Sequence, residues 1–409
     1  ADPAPFETSK AFGIETVPTA LLVHDGEVAE TVVGWNKDAL ERLLGVELPE
    51  EEPRWKPGCQ ARNAYLPGAL EALLEEPAPD ELEEMFERGW TDGLPVIPPT
   101  RERVDAMLAG RDPGLSLGLV PPALGEATLE RVAACAVLAG CRREYFPVVL
   151  AAVEAALDES FNLNAQAVTT SPPGQVLVVN GPVRRALGLN DGMGALGPGS
   201  RANMTIGRAL RLVVTLTGGA RPGGLDRATL GHPGKLAFCI AENEEASPWD
   251  PLHVELGFPR DRSTVTLVAG DAPLSISDHR SRGPDELAAV LGWAAAGQWS
   301  PFWWPLDARS LFVLCPEHAQ LLGEAGWSKG RVRRAVYDTV RRPAGGLRRG
   351  ETTTLVEASA PDEPICKWSR PEDVLLVVAG GEAGRFSAVI GPSVGMDAAV
   401  VTREIAWAT

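Results

Sequence analysis

No two cysteines in the 409 residues stand in a Cys-x-x-Cys pair. The six that occur, Cys59, Cys135, Cys141, Cys239, Cys315 and Cys366, are scattered without the spacing of a disulfide framework. Each is read as a free thiol that behaves first as a small buried hydrophobe. Basic residues are in deficit: 38 Lys and Arg face 55 Asp and Glu, a formal net charge of −17. A nucleic acid or an anionic membrane surface needs the opposite balance, so neither is an expected partner and a small molecule is. No apolar run approaches the roughly 18 residues of a spanning helix, and no charged-then-apolar leader precedes Phe6. The expectation is a cytoplasmic protein with no membrane contact. No repeat of fixed period is visible. What is present is an ordinary apolar fraction, 44%, in a chain long enough for two or three domains with a real core.

Residues Phe6 to Leu44 open with a helix end and turn at Ala11 to Thr19, then an apolar strand Ala20 to Val23 and a hairpin turn at Asp25-Gly26. A second strand, Val28 to Val33, and a helix, Asp38 to Leu44, close the unit. This order, with its Val17-Pro18-Thr19 step, resembles the C-terminal half of the thioredoxin family. The resemblance implies that Pro18 is cis and faces a redox pair, and it implies a thiol-exchange ancestry. The pair itself is missing. Trp55-Lys56-Pro57-Gly58-Cys59 has the residue types of a thioredoxin active loop, in altered order and after Pro18, and is read either as a remnant or as a linker. The chain opens at Ala1 rather than Met, so processing and shortening are two readings of the absent front half.

Acidic, Pro-rich stretches at 48–57 and 75–81 read as linkers. The expected fold class is α/β, with a partial thioredoxin-like module over 1–47, a linker over 48–80, a main α/β domain over 81–283 and a C-terminal α/β domain over 284–409. Apolar residues at helical spacing predict helices at 81–88, 102–108, 130–139, 147–157, 202–212, 287–296 and 317–324. Apolar runs predict strands at 175–180, 236–240, 263–268, 310–314 and 374–378. Between Trp90 and Thr100, prolines at 95, 98 and 99 deny backbone donors, so that segment is expected to lie extended across a surface or cleft.

The densest polar stretch runs from Gly231 to Glu255. It holds His232, Lys235, Cys239, Glu242 and His253, two of only five histidines among them, a mixture suited to proton transfer or metal ligation at neutral pH. If 236–240 is a strand, His232 and Lys235 stand at its start and Glu242 at its end, which works against a single site. The His232, Cys239, His253 spacing matches no standard zinc module, and a solvated acidic loop is the plain alternative for 242–245.

A second region, Asn190 to Arg201, is glycine-rich and leads into the helix at 202. Glycines and a helix N-terminus suit an anion, with Arg201, Asn203 and Thr205 as binding side chains beside Lys235, against a purely structural turn. Gly192-x-Gly194-x-x-Gly197 matches the dinucleotide fingerprint only formally, because the strand before it ends at Asn180 and no acidic residue lies about twenty positions on.

Cys315-Pro316-Glu317-His318 places a thiol where a strand meets a helix, with His318 one turn away, an arrangement that lowers a thiol pKa and that also arises by chance. Cys141 is followed by Arg142 and Arg143, which favour a thiolate, at a helix C-terminus, which disfavours it. Trp299 to Pro305 concentrates aromatics and is read as a homo-oligomer contact.

From Trp90 onward, Thr91-Asp92-Gly93-Leu94-Pro95, Ala139-Gly140-Cys141, Asn180-Gly181-Pro182 and Ile240-Ala241-Glu242-Asn243-Glu244 resemble an uncharacterised bacterial family. That family is associated with small proteins bearing a selenocysteine-or-cysteine, Gly, Ser, Cys motif. The resemblance implies thiol or selenol chemistry and a thioredoxin-like or selenoprotein partner. Asp92, Cys141, Asn180, Glu242 and Asn243 are the matching positions. The expected function is a thiol-dependent oxidoreductase or bond-cleaving enzyme acting on a small anionic substrate. Cys141 or Cys239 would supply the thiolate, and His232, His253 and Glu242 would move protons. A metal-dependent lyase or hydrolase at His232, Cys239 and His253, and a non-enzymatic partner of a thioredoxin system, are the alternatives. No cofactor and no particular metal is indicated.

Overall fold

The computed structural model describes residues 19–24, 27–33, 35–48, 55–56, 81–299, 309–348, 357–391 and 398–407. Pro18, the Asp25-Gly26 turn, Cys59 and residues 300–308 of the tryptophan-rich run lie outside the described residues. Near the start, β1 (Thr19–His24) and β2 (Glu27–Val33) pair antiparallel with Thr19 opposite Val33, and α1 (Lys37–Leu44) follows.

Next come α2 (Glu81–Glu87), the proline-bearing segment 90–100 without regular structure, and α3 (Arg101–Leu108). A hairpin over 116–128 precedes α4 (Leu129–Ala139) and α5 (Phe146–Ala156). Thr100 and Thr128 start α3 and α4 by accepting from the backbone N–H three residues on, which satisfies a donor the helix leaves open. Both α4 and α5 are apolar nearly all round, as helices sunk in a core must be.

The body then runs β3 (Gly174–Asn180), α6 (Val183–Leu187), α7 (Arg201–Leu212), β4 (Cys239–Ala241), α8 (Leu252–Glu255), β5 (Thr264–Gly270) and β6 (Leu274–Ser277). It continues with α9 (Pro284–Gly297), β7 (Ser310–Leu314), α10 (Pro316–Glu324), α11 (Lys329–Thr339), β8 (Val374–Val378), β9 (Phe386–Ile390) and β10 (Val401–Glu404).

These strands build two four-stranded sheets, ordered β10-β5-β3-β4 and β6-β9-β7-β8. In each sheet one pair is parallel, β3 with β4 and β7 with β8, and the other neighbours are antiparallel. The parallel partner begins 65 positions after Gly174 in one sheet and 64 after Ser310 in the other. The fourth strand of each sheet comes from the other half: β6 follows β5 yet edges the second sheet, and β10 follows β9 yet edges the first. A topological repeat is therefore present where no sequence period is visible.

Strand alternation sets the layers. Val176, Val178, Ile240 and Val268 of one sheet pack against Leu311, Val313, Leu375, Val377 and Ile390 of the other in a shared core. Leu177, Val179 and Leu267 turn instead toward α4, α5 and α7, and Phe312, Leu314 and Leu376 toward α9, α10 and α11. The order is helix, sheet, sheet, helix. With both faces covered, β3, β5, β7 and β8 are buried at every position. A fully buried Val, Leu or Ile contributes about 1.5–3 kcal/mol over an exposed one, so this double interior dominates the stability. The α/β class expected from the sequence is present. Across the boundary expected between 283 and 284, strands pass in both directions and the two sheets share one interior. The strand expected at 236–240 is shorter and later, Cys239–Ala241, because Pro233 starts a 3-10 turn just before it. Among the described residues no helix is long and apolar enough to cross a membrane.

Candidate functional site

The polar stretch 231–255 is divided between the two ends of the first sheet. His232 and Lys235 stand at the N-terminal end of β3, where a Cβ added to Gly174 would lie 3.6 Å from His232 Cε1. Glu242 follows β4 at the opposite end, and its Oε2 accepts from the N–H of Leu252, the residue before His253 on α8. A seven-residue strand spans roughly 20 Å, so His232, Cys239 and His253 do not form one metal centre. Among the described residues no group of three or more His, Cys, Asp or Glu is placed to hold a metal ion.

At the His232 end lies a cleft of about 550 Å³. One wall is the segment Thr91 to Gly93, held by Arg208 of α7, whose Nε and Nη2 donate to the two carboxylate oxygens of Asp92, each at 2.7 Å. Arg208 Nη2 also donates to the Pro95 carbonyl at 3.0 Å, so a guanidinium fork ties the proline-rich strip across the helix. After α7 the hydrogen bonding loosens into a π-helical turn, Val213–Thr217, which puts Thr215 on the wall. The remaining wall is the loop from Arg221 to Leu236.

Within the cleft Asp226, 4% exposed, accepts from Arg211 Nη2 at 2.6 Å, from Lys235 Nζ at 2.8 Å and from the Ala228 N–H at 3.1 Å. Burial acts to raise its pKa, but the Lys235 hydrogen bond and the charges of Arg211 and Lys235 outweigh it and hold the carboxyl below its usual range. Burial lowers the pKa of Lys235 against the pull of Asp226. Burial likewise lowers His232, opposed by the Asp271 charge. His232 Nδ1 accepts from the Gly234 N–H at 3.1 Å, so the neutral ring carries its proton on Nε2.

His232 Nε2 is shut off from solvent without a hydrogen-bond partner, and so is one nitrogen of Arg221. Arg221 lines the cleft, that nitrogen is its Nε, and burial alone lowers its pKa. Gly89 makes room for it: at φ 69° that residue favours glycine, and an added Cβ would sit 2.6 Å from Arg221 Nη1.

At the other end of β3 most charges are paired, and Asn180 Oδ1, Glu242 Oε1 and His253 Nδ1 are buried without a hydrogen-bond partner. Buried Arg184 donates through Nη1 to Asp191 Oδ2 at 2.9 Å and to the Glu242 carbonyl at 2.7 Å, and through Nη2 to Glu245 Oε1 at 3.1 Å. Its Nε lies 3.1 Å from Glu244 Oε1. Asn180 Nδ2 donates to Glu242 Oε2 at 2.7 Å, and Lys329 Nζ donates to Glu255 Oε2 at 2.9 Å. Burial raises the Glu242 pKa against the charge of Lys329, and burial lowers His253 against the charge of Glu244. Asn180, Glu242 and His253 are all 0% exposed. Asn243 N–H donates to the Val378 carbonyl at 2.7 Å and Gly380 N–H to the Asp191 carbonyl at 2.9 Å, so this network braces one sheet against the other. Glu242 and His253, expected to move protons for a substrate, are enclosed in that brace.

Cys141 and Cys239 are also enclosed. The Cys141 thiol donates to the Thr205 carbonyl at 3.3 Å, and burial pushes its pKa up to about 12; burial pushes Cys239 up as well. Neither is a thiolate near neutral pH, and neither lines the cleft. The expected anion cradle is taken up by the fold itself. Arg201 Nε and Nη2 donate to the Gly140 carbonyl at 3.0 and 2.9 Å, closing the end of α4. Asn203 bonds the backbone N–H and C=O of Asn190, and the Thr205 hydroxyl donates to the Arg201 carbonyl within α7. Lys235 alone of the four expected anion binders reaches the cleft.

No protein-family model, no curated protein and no solved structure matches this chain. The geometry therefore has to carry the functional reading. It adds Arg211, Arg221 and Asp226 to the residues expected from the sequence. Gly218-Gly219-Ala220-Arg221-Pro222-Gly223-Gly224 carried the signal, a glycine-rich loop with an arginine in it.

Proposed function

We propose that this chain is a bond-cleaving enzyme of acid–base type that acts on a small anionic substrate in the cleft between Asp92 and His232. Arg221 takes the anion, Lys235 is the proton carrier, and Asp226 holds Lys235 and Arg211 in place. The observation that carries this reading is the buried Arg221 Nε without a partner. A donor shut away from water is costly to leave unpaired, and a carboxylate or phosphate entering the cleft supplies its partner beside a guanidinium charge. Burial keeps the His232 ring neutral, so it contributes a hydrogen-bond donor rather than a charge. Thiol chemistry at Cys141 or Cys239 has no role in this cleft.

Proton NMR of pooled small carboxylates and phosphate esters, incubated with the full chain, tests the proposal. Depletion of one component by the wild type, lost in Lys235→Met with the native circular dichroism spectrum retained, is the expected result. Saturable binding of an anion with no depletion of any anionic component would make the cleft a binding site and overturn the enzymatic reading.

A further inference from the structure

The chain as a whole is strongly acidic, at −17, yet the walls of the cleft carry the opposite sign. Among the described residues Arg208, Arg211, Arg221 and Lys235 stand on or directly behind them against Asp92 and Asp226, an excess of two positive charges. At the margin Arg227, which donates to the Gly223 carbonyl at 3.3 Å, and Asp271, whose charge acts on Lys235, offset each other. Both wall carboxylates are committed. Asp226 Oδ1 accepts from Lys235 Nζ at 2.9 Å and from the Ala228 N–H at 3.1 Å, and its Oδ2 accepts from Arg211 Nη2 at 2.6 Å. Arg208 takes both oxygens of Asp92, and the Leu94 N–H donates to Oδ1 at 3.2 Å. The carboxylate oxygens on these walls are therefore all occupied, and the excess charge is left to a guest.

A second donor stands close to Arg221. Thr215 lies in the π-helical turn Val213–Thr217, one turn beyond Arg211, and turns of this kind recur at functional sites. It is 4% exposed and lines the cleft, and its hydroxyl has no hydrogen-bond partner among the described residues. The carbonyl of Val214 accepts from the Ala220 N–H at 3.1 Å, so Thr215 and Arg221 each follow one end of the same backbone hydrogen bond. Arg211 Nη2 tightens this knot by donating to the Ala220 carbonyl at 3.2 Å as well as to Asp226. A hydroxyl and a guanidinium Nε held together on one wall suit an anion whose acceptor oxygens sit on a single atom.

We propose that the guest of the cleft is a phosphate monoester in its dianionic form, with its phosphate on Arg221 Nε and the Thr215 hydroxyl and with Lys235 beside it. This rests on the reading of the cleft as an anion site and names the class of anion. A phosphate monoester carries two negative charges, which match the excess of two, and three acceptor oxygens on one phosphorus, which let neighbouring donors bind at once. A phosphodiester keeps the phosphorus but loses a charge. A dicarboxylate keeps both charges but spreads them along a chain.

Calorimetric titration of the full chain with methyl phosphate, dimethyl phosphate and malonate at about pH 8 tests it. At that pH methyl phosphate is a dianion, its second pKa being about 6, and dimethyl phosphate is a monoanion. Methyl phosphate is expected to bind about tenfold tighter than either of the others, the difference that one charged hydrogen-bond partner makes. Thr215→Val, which trades the hydroxyl for a methyl, should weaken methyl phosphate about fivefold with the native circular dichroism spectrum retained, and Thr215→Ser should keep the wild-type affinity. Dimethyl phosphate or malonate bound as tightly as methyl phosphate, or equal affinity in Thr215→Val and wild type, overturns the proposal and leaves the anion cleft standing. Binding of none of the three overturns both. Methyl phosphate bound as expected supports the assignment even where no anionic compound is consumed, a result that overturns the enzymatic reading alone.

Discussion

The two ends of β3 draw on one stretch of sequence, 231–255, and do opposite things with it. At the C-terminal end Arg184 meets Asp191, Glu244 and Glu245, Lys329 meets Glu255, and only the Glu245 end of the cluster opens to solvent. At the N-terminal end Asp226 is matched by Lys235 and Arg211, but Arg221 is left without a partner on the wall of an open cleft. Both ends keep buried atoms without a hydrogen-bond partner, Asn180 Oδ1, Glu242 Oε1 and His253 Nδ1 inside the closed part of the brace and Arg221 Nε and His232 Nε2 beside the cleft; what differs is that only the second set borders an open void. A buried orphan atom sealed inside the fold has no route to a ligand, whereas the unpartnered Nε of Arg221 on the wall of a void has one.

The comparison breaks most directly at Arg184. Arg184→Met leaves the part-buried Glu244 without its cation and Asp191 and Glu245 with Arg185 alone, and chemical denaturation should show a loss of about 3 kcal/mol. A loss under about 1 kcal/mol would mean that the brace carries little of the fold's stability. Gly89→Ala acts on the cleft end instead. It places a methyl against the Arg221 guanidinium at a left-handed backbone position, so a stability loss of about 1 kcal/mol with weakened anion affinity is expected. Unchanged affinity would show that Arg221 is not held where the cleft needs it.

The smallest effect is in pH dependence, and its sign separates the two ends. The folded pKa of Asp226 lies below its unfolded value, so its contribution is present above the ordinary Asp pKa of about 3.9 and is lost as pH falls through the folded value. The folded pKa of Glu242 lies above its unfolded value, so its contribution is present below about 4.3 and is lost as pH rises through the folded value. Asp226→Asn should flatten the acid limb of the stability curve, and Glu242→Gln should flatten the opposing slope. Slopes that change in the same direction in both variants would contradict the assignment.

Helices and inner strands were legible in the sequence because their apolar spacing is strong: α4, α5, α7, β7 and β8 all fall within a residue or two of expectation. The short edge strands β6 and β10 were not, since four residues of mixed polarity carry no period. Missing them hid the exchange of edge strands, and with it the shared interior of the two sheets. The separation of His232 and Lys235 from Glu242 was legible, because a strand between them puts them at opposite ends. Arg221 and Asp226 were not, because their importance lies in which charge is left over after pairing. Pairing is decided by contacts such as Arg211 with Asp226, 15 positions apart, and Arg184 with Glu245, 61 apart. The glycine-rich loop 190–199 looked like an anion cradle, yet its flanking polar side chains are spent on Gly140, Asn190 and α7 itself.

The central claim is that Arg221 is a cation waiting for an anion. Calorimetric titration of the full chain with inorganic phosphate and with malonate, wild type beside Arg221→Met, tests it most directly. The account predicts saturable binding of at least one anion by the wild type, weakened by about 10- to 100-fold in Arg221→Met, as expected for one charged hydrogen-bonding group, with the melting temperature unchanged. Equal binding by the two proteins, or none by the wild type, would contradict it.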